Sequence, residues 1–150
     1  MNRTRIAAAA LSVLTSAALF PLTAGAQNAV IQEAAKEAGA KVTASGLVYR
    51  ALSEGKGASP KASDKVKVHY KGTFPDGREF DSSYKRNAPI DFPLQGVIPC
   101  WTEGVQLMKV GGKAKLTCPP QLAYGERGAG GVIPPNATLQ FEVELLGIVK

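Results

Sequence analysis

The stretch Val66-Lys-Val-His-Tyr-Lys-Gly72, followed by Asp76-Gly-Arg-Glu-Phe-Asp-Ser-Ser83, decides how this chain folds. The first part alternates: Val66, Val68 and Tyr70 share one face of a strand, and Lys67, His69 and Lys71 share the other. Pro75-Asp-Gly77 is a turn signal, and Phe80 and Asp81 come directly after the reversal. An inward tyrosine, a phenylalanine and a carboxylate thus arrive at one sheet edge, with no nucleophile or metal ligand beside them. That combination suits a hydrophobic pocket with a few polar handles.

The flanking sequence continues in short β segments. Leu47 to Leu52 reads as a strand, Gly55 to Ser63 as a Gly/Pro/Lys/Ser loop, Val66 to Phe74 as a second strand, and Glu79 to Ser82 as its return. Pro99 to Met108 is the one core helix expected. Trp101, Val105 and Met108 recur at helical spacing, Thr102 suits the N-cap or first turn, Glu103 suits the positive N-terminal end, and Gly111-Gly112 stops the segment. Lys113 to Cys118 alternates again, with Ala114, Leu116 and Cys118 on one face. Leu139 to Val149 is the last strand, with Phe141, Val143 and Leu145 inward and Gln140, Glu142 and Glu144 outward. An antiparallel sheet curved around a single short helix, an α+β fold, satisfies this pattern.

The chain has 150 residues, and the first 26 read as a leader. Arg3 and Arg5 form a positive start, Ile6 to Leu22 an apolar run, and Ala24-Gly25-Ala26 a small-x-small cleavage pattern, so the expected cut precedes Gln27. The rival is an uncleaved membrane anchor. Pro21 shortens the apolar run and a polar, Ala-rich segment follows, which favours cleavage and export to the periplasm or beyond. Residues 27–44 read as a short lead, helix-prone over Ala29 to Ala40 with Gly39 as a stop, or disordered; residues 45–150 read as the folded domain. Without Arg3 and Arg5 the 18 basic residues become 16 against 12 acidic, a net +4. The lysines are scattered, which fits a solvated basic surface and not a nucleic-acid stripe. No later stretch is apolar and long enough to span a membrane as a helix.

Triad and metal chemistry find no support in these residues. His69, the one histidine, falls on the face opposite Tyr70 and reads as a surface residue. With one histidine and two distant cysteines there is no zinc pattern, and no cofactor motif is expected. Tyr124-Gly-Glu-Arg-Gly-Ala-Gly-Gly131 resembles a phosphate loop only superficially, because it runs into Val132-Ile-Pro-Pro135 and not a helix. What remains is aromatic and apolar: Tyr70, Phe80, Val97, Ile98, Trp101, Tyr124, Ile133 and Phe141. Any one alone is more simply a core residue. Together they fall at a helix start, a strand exit and a turn, where amphipathic aromatics ring the mouth of a sheet.

Val-His-Tyr-Lys-Gly, Phe-Asp-Ser-Ser, Val-Ile-Pro-Cys-Trp, Leu-Ala-Tyr-Gly, Ile-Pro-Pro-Asn and Leu-Gln-Phe-Glu-Val-Glu-Leu occur in that order from Ser45 to Val149. In these six motifs the chain resembles the FKBP-type peptidyl-prolyl cis-trans isomerases, and within them the exported bacterial, Mip-like and FkpA-like type. The resemblance implies a prolyl pocket lined by Tyr70, Phe80, Asp81, Val97, Ile98, Trp101, Tyr124 and Phe141, with Ile90 at its rim and Ile133 also binding substrate. It implies that Trp101 forms the floor with Phe141 behind, and that the Ile98 N–H and Tyr124 hydroxyl bind carbonyls. Asp81 would hydrogen-bond near the twisting bond, and Tyr70 would join Asp81, Ile98 and Tyr124 as a catalytic residue. It further implies proline-containing polypeptides as partners, with macrolides such as rapamycin and tacrolimus as inhibitors. Ile90 departs from relatives with an aromatic rim residue, Ala129 lies in a variable loop, and Cys100 stands where glycine is commoner. Only about 18 residues precede Ser45 in the mature chain, too few for a long dimerisation helix, so a monomer is expected. A holdase without turnover and an interaction factor acting through the Lys-rich loops are the rival readings.

Cys100 and Cys118 leave two alternatives. They are either two buried thiols, since cysteine is a common core residue, or one intramolecular bridge. An oxidising destination and the expected nearness of the helix start, with Cys100, to the end of the strand after the helix, with Cys118, favour the bridge.

Overall fold

The computed structural model describes residues 24–149. The expected leader lies, up to residue 23, outside the described residues. Seven strands form one antiparallel sheet: β1 (Ala40–Val42), β2 (Val48–Ser53), β3 (Lys65–Thr73), β4 (Glu79–Ser82), β5 (Ile90–Pro93), β6 (Lys113–Cys118) and β7 (Leu139–Val149). Their order is β1-β2-β6-β7-β3-β4, with β5 also pairing β3. Two helices accompany it, α1 (Ala24–Ala35) and α2 (Pro99–Gln106), with 3-10 turns at Leu94–Gly96 and Pro120–Leu122. Among the described residues no helix is long and apolar enough to cross a membrane.

The alternation read from the sequence sets the register. Tyr70 lies opposite Val143 and Gly72 opposite Phe141 across β3 and β7, while Leu116 lies opposite Phe141 across β6 and β7. Val66, Val68, Tyr70, Ala114, Leu116, Cys118, Leu139, Phe141, Val143 and Leu145 are therefore buried on one face, against α2. That helix contributes Cys100, Trp101 and Val105, with Met108 just past its end. Gly104 lets it approach the sheet closely, since a Cβ there would lie 2.8 Å from a Leu116 methyl. The Pro75-Asp-Gly reversal forms as expected, with the Phe74 N–H donating to the Arg78 carbonyl at 2.8 Å.

Four features differ from the sequence reading. The core helix starts on Pro99 as expected, but it ends at Gln106, short of Met108, and Ile98 is its N-cap. Proline at the first helical position needs no N–H partner, and a helix that starts there leaves Thr102 past the cap. Thr102 instead donates its hydroxyl to the Leu94 carbonyl at 2.6 Å, and Glu103 accepts from the Ser45 hydroxyl at 2.5 Å. The first helix stops at Ala35, and Ala40–Val42 pairs with Val48–Arg50, so the sheet begins ahead of Ser45. Three residues are too few for alternation to be read. Strand β5 was also not expected, because Pro89 and Pro93 frame it as a loop. It pairs only with β3, and edge positions tolerate proline.

The fourth difference is on the outer face of the sheet. Val48 and Thr117 lie opposite one another and are buried there, although they point away from Leu116. Helix α1 packs against β2 and β6, and Glu37 just beyond it pairs with Arg50 at 2.5 Å and Lys115 at 3.1 Å. Of the two alternatives for the lead, helical or disordered, the helical one holds, and the segment covers part of the sheet.

Candidate active site

Trp101, on the first turn of α2 and 4% exposed, is the hub of an aromatic cluster. Three rings meet it edge to face: Tyr70 from β3 at 5.2 Å, Phe92 from β5 at 5.4 Å and Phe141 from β7 at 5.5 Å. Phe80 from β4 stands edge-on to Phe141 at 5.6 Å, with Phe74 beside it at 5.0 Å. Near-perpendicular contacts place the positive edge of one ring on the negative face of another. The Trp101 indole N–H is buried and has no hydrogen-bond partner among the described residues.

The polar side of the cluster is a triangle. The Tyr70 hydroxyl donates to Asp81, Arg86 donates to the other Asp81 oxygen at 2.7 Å, and Arg86 also reaches the Tyr70 oxygen at 3.1 Å. The Ser82 N–H adds a fourth bond, to Asp81 at 2.8 Å. Burial works against ionisation of Asp81, but the Tyr70 hydroxyl and the Arg86 guanidinium outweigh it and hold the carboxyl below its ordinary value. Burial, then the bond to Asp81, pushes the Tyr70 phenol up, so it stays protonated at neutral pH. The pair is therefore a fixed donor and acceptor, with neither group poised to exchange protons near pH 7.

The sequence-assigned residues separate into three groups. Tyr70, Phe80, Asp81, Trp101 and Phe141 come together directly. Ile90, Val97 and Ile98 are half-buried against the same core, and Ile133 is buried in it. Ile98 caps α2: its carbonyl accepts from Trp101 and Thr102, while its N–H donates to no described residue. Tyr124 stands apart, 41% exposed on the turn after Pro120–Leu122, its hydroxyl bonded to no described residue.

Two participants were missed. Phe92 sits in the unforeseen β5, where the alternation Ile90-Asp91-Phe92 was its one signal. Arg86 reaches back from a turn, and nothing in its local sequence marks it. His69 is not a free surface residue either. It stacks on Tyr84 at 4.6 Å, and its Nδ1 lies 2.9 Å from the Ser83 hydroxyl, which also accepts from the Tyr70 N–H.

The family model for FKBP-type peptidyl-prolyl cis-trans isomerases matches residues 56–146. The chain is 58% identical over 114 residues to FkpA of Escherichia coli K12, covering 76% of this chain and 42% of that protein. It is 54% identical over 119 residues to the FKBP-type 22 kDa isomerase of the same organism, covering 79% and 58%. The crystal structure of Escherichia coli FkpA superposes with a TM-score of 0.80 at 52% identity, over 83% of this chain and 58% of that one. A Pseudomonas syringae peptidyl-prolyl cis-trans isomerase superposes at 0.79 with 36% identity, over 84% and 92%. The chain thus spans about half the length of the named relatives it matches in sequence. With a family match over most of its length and the fold shared at this identity, the chain belongs to the FKBP-type peptidyl-prolyl cis-trans isomerases.

Proposed function

We propose that this chain accelerates cis-trans isomerisation of X–Pro bonds in exported polypeptides, by binding the prolyl segment against Trp101 in the aromatic cluster. The observation that carries this reading is the pairing of that cluster with the Tyr70–Asp81–Arg86 triangle on its polar side. Rotation about an X–Pro amide meets a barrier of about 18–20 kcal/mol, because the C–N bond has partial double-bond character. The half-rotated amide has lost that resonance and is less polar. A dry aromatic pocket therefore disfavours the planar form relative to the twisted one, and donors aimed at the rotated carbonyl add to the difference. No proton transfer or covalent intermediate is needed, which suits a phenol and a carboxylate locked to each other. Phe80, Ile90, Val97, Ile133 and Phe141 wall the pocket in this reading, and the Ile98 N–H and Tyr124 hydroxyl, both without partners among the described residues, take carbonyls. Rapamycin and tacrolimus compete for the same surface.

A protease-coupled isomerisation assay on a proline tetrapeptide tests this. Turnover that rapamycin abolishes is expected; an uncatalysed rate at micromolar protein refutes it. Tyr124→Phe is expected to weaken rapamycin binding by about 0.5–1.5 kcal/mol and leave the fold unchanged, since the residue is 41% exposed and its hydroxyl bonds to no described residue. Unchanged affinity would remove Tyr124 from the site.

The depressed Asp81 pKa gives a pH expectation. A carboxyl held below 3.8 stays ionised at every pH above that value, and its contribution is lost only as pH falls through the lowered pKa. Arg86→Ala removes one of the groups that lower it, so the acid limb of rapamycin binding moves to higher pH. A fluorescence titration of parent and variant from pH 7 downward checks the direction, and coincident acid limbs would count against the assignment.

Export is part of the same proposal, with Met1 to Ala26 removed, a mature chain in the periplasm and a monomer in solution. Mass spectrometry of envelope protein is expected to show Gln27 as the first residue. A soluble species that retains Met1 would contradict it.

A further inference from the structure

We infer that the Cys100–Cys118 bridge is a positioning device for the substrate, setting the spacing between the Ile98 N–H and the Tyr124 hydroxyl. The inference rests on the carbonyl-binding roles proposed for those two groups. The half-cystines are joined, with Cα atoms 5.8 Å apart, and both are fully buried. Each is coupled to one carbonyl-binding residue through proline. Ile98 connects to Cys100 through Pro99, the first residue of α2, and Cys118 connects to the 3-10 turn through Pro119 and Pro120.

Proline holds φ near −65°, so displacement of either cysteine passes along the backbone and is not absorbed in a soft dihedral. Pro119 stands at φ −64°. The turn beyond is closed by Leu122 N–H to Pro119 O at 2.9 Å, and by Ala123 and Gly125 N–H to Pro120 O at 3.0 and 2.9 Å. Tyr124 sits inside this stiff unit. On the other side, Trp101 and Thr102 N–H groups bind the Ile98 carbonyl at 2.9 and 3.2 Å, which ties Ile98 to the helix that carries Cys100.

Among the described residues no hydrogen bond joins the segment 97–102 to the segment 119–125. Packing alone holds α2 to β6 further along, where Gly104 rests on Leu116. Trp101 packs the first turn onto rings from β3, β5 and β7, none of which belongs to the strand that leads to Tyr124. The bridge ties that turn to the end of β6 and supplies the directional link that packing lacks. Pre-organised contacts bind more tightly because less ordering remains to be done on binding.

The test is a double-mutant cycle, because a merely structural bridge would not alter what the Tyr124 hydroxyl contributes. Rapamycin Kd is measured for the parent, Tyr124→Phe, the bridge-free Cys100→Ala/Cys118→Val protein and the combined variant, at a temperature where circular dichroism shows all four folded. Tyr124→Phe is expected to weaken binding by about two- to tenfold in the bridged protein and by a factor close to one without the bridge. If the bridge-free protein does not fold, the parent and Tyr124→Phe are compared before and after reduction by dithiothreitol. That reaction gives two thiols for one cystine as the dithiol closes to its own cyclic disulfide. Equal factors with and without the bridge, in a parent that isomerises and binds rapamycin, overturn the positioning role alone. A parent that does neither overturns the functional reading and this inference with it.

Discussion

Replacing Trp101 with alanine is expected to lower folding stability by about 3–5 kcal/mol and to abolish the rapamycin binding proposed above. The residue is 4% exposed and meets three other rings edge to face, so truncation opens a cavity that three strands and a helix cannot close by small shifts. Each aromatic contact contributes about 0.5–1.5 kcal/mol beyond its area. One term opposes the loss: the indole N–H is buried without a partner, and its removal relieves a desolvation cost of roughly 1–3 kcal/mol. The expectation therefore sits at the lower end of the range, a fall in Tm of order 10 °C. Trp101→Phe separates packing from binding. It keeps a ring against Tyr70, Phe92 and Phe141 and discards the orphan donor, so it costs far less stability. If Trp101 is the pocket floor, that variant still loses affinity while folded. Urea denaturation paired with a rapamycin titration reads both. A Trp101→Ala protein within 1 kcal/mol of the parent would show that the cluster is not the core support described here, and parent-like affinity in Trp101→Phe would take the indole out of the site.

The strands that run through the core were legible because burial on one face forces a period of two. Lys113–Cys118 and Leu139–Val149 begin and end where their alternation does. Ala40–Val42 and Ile90–Pro93 were not legible, since each is too short to show a period and gains its strand geometry from its partner, β2 just after it in one case and β3 far back in the sequence in the other. The same reasoning divides the site. Tyr70, Phe80, Trp101 and Phe141 could be read because each occupies an inward or turn-flanking position of a recognisable element. Phe92 and Arg86 could not: the first lies in an edge strand framed by prolines, and the second matters only because the turn after β4 folds back over Tyr70 and Asp81. His69 shows the opposite failure. Alternation put it on the outer face, but period alone says nothing of what covers that face, and Tyr84 does.

Reducing the Cys100–Cys118 bridge is the second large effect expected, a loss of about 3 kcal/mol. The bond closes a loop of 19 residues, counting both cysteines across a separation of 18, and that loop holds α2 from its second residue onward and all of β6. Cross-linking so restricts the unfolded chain that folding loses less entropy, and the chain-entropy estimate for this length gives the figure quoted. Against a typical domain stability of about 5–15 kcal/mol, such a loss is a large fraction of the whole. Both half-cystines are 0% exposed, so a reductant has no direct access in the folded state. Reduction in native buffer should therefore be slow and should accelerate in mild urea in proportion to opening, whereas a surface bridge would reduce at the same rate in both. Thiol titration of denatured, unreduced protein from the periplasm comes first: no free thiol is expected, and two per chain would sink the prediction. Urea midpoints of oxidised and reduced protein then give the magnitude. A difference below 1 kcal/mol would mean that the reduced chain retains, through Gly104 on Leu116 and the Trp101 cluster, the same restriction the bond provides.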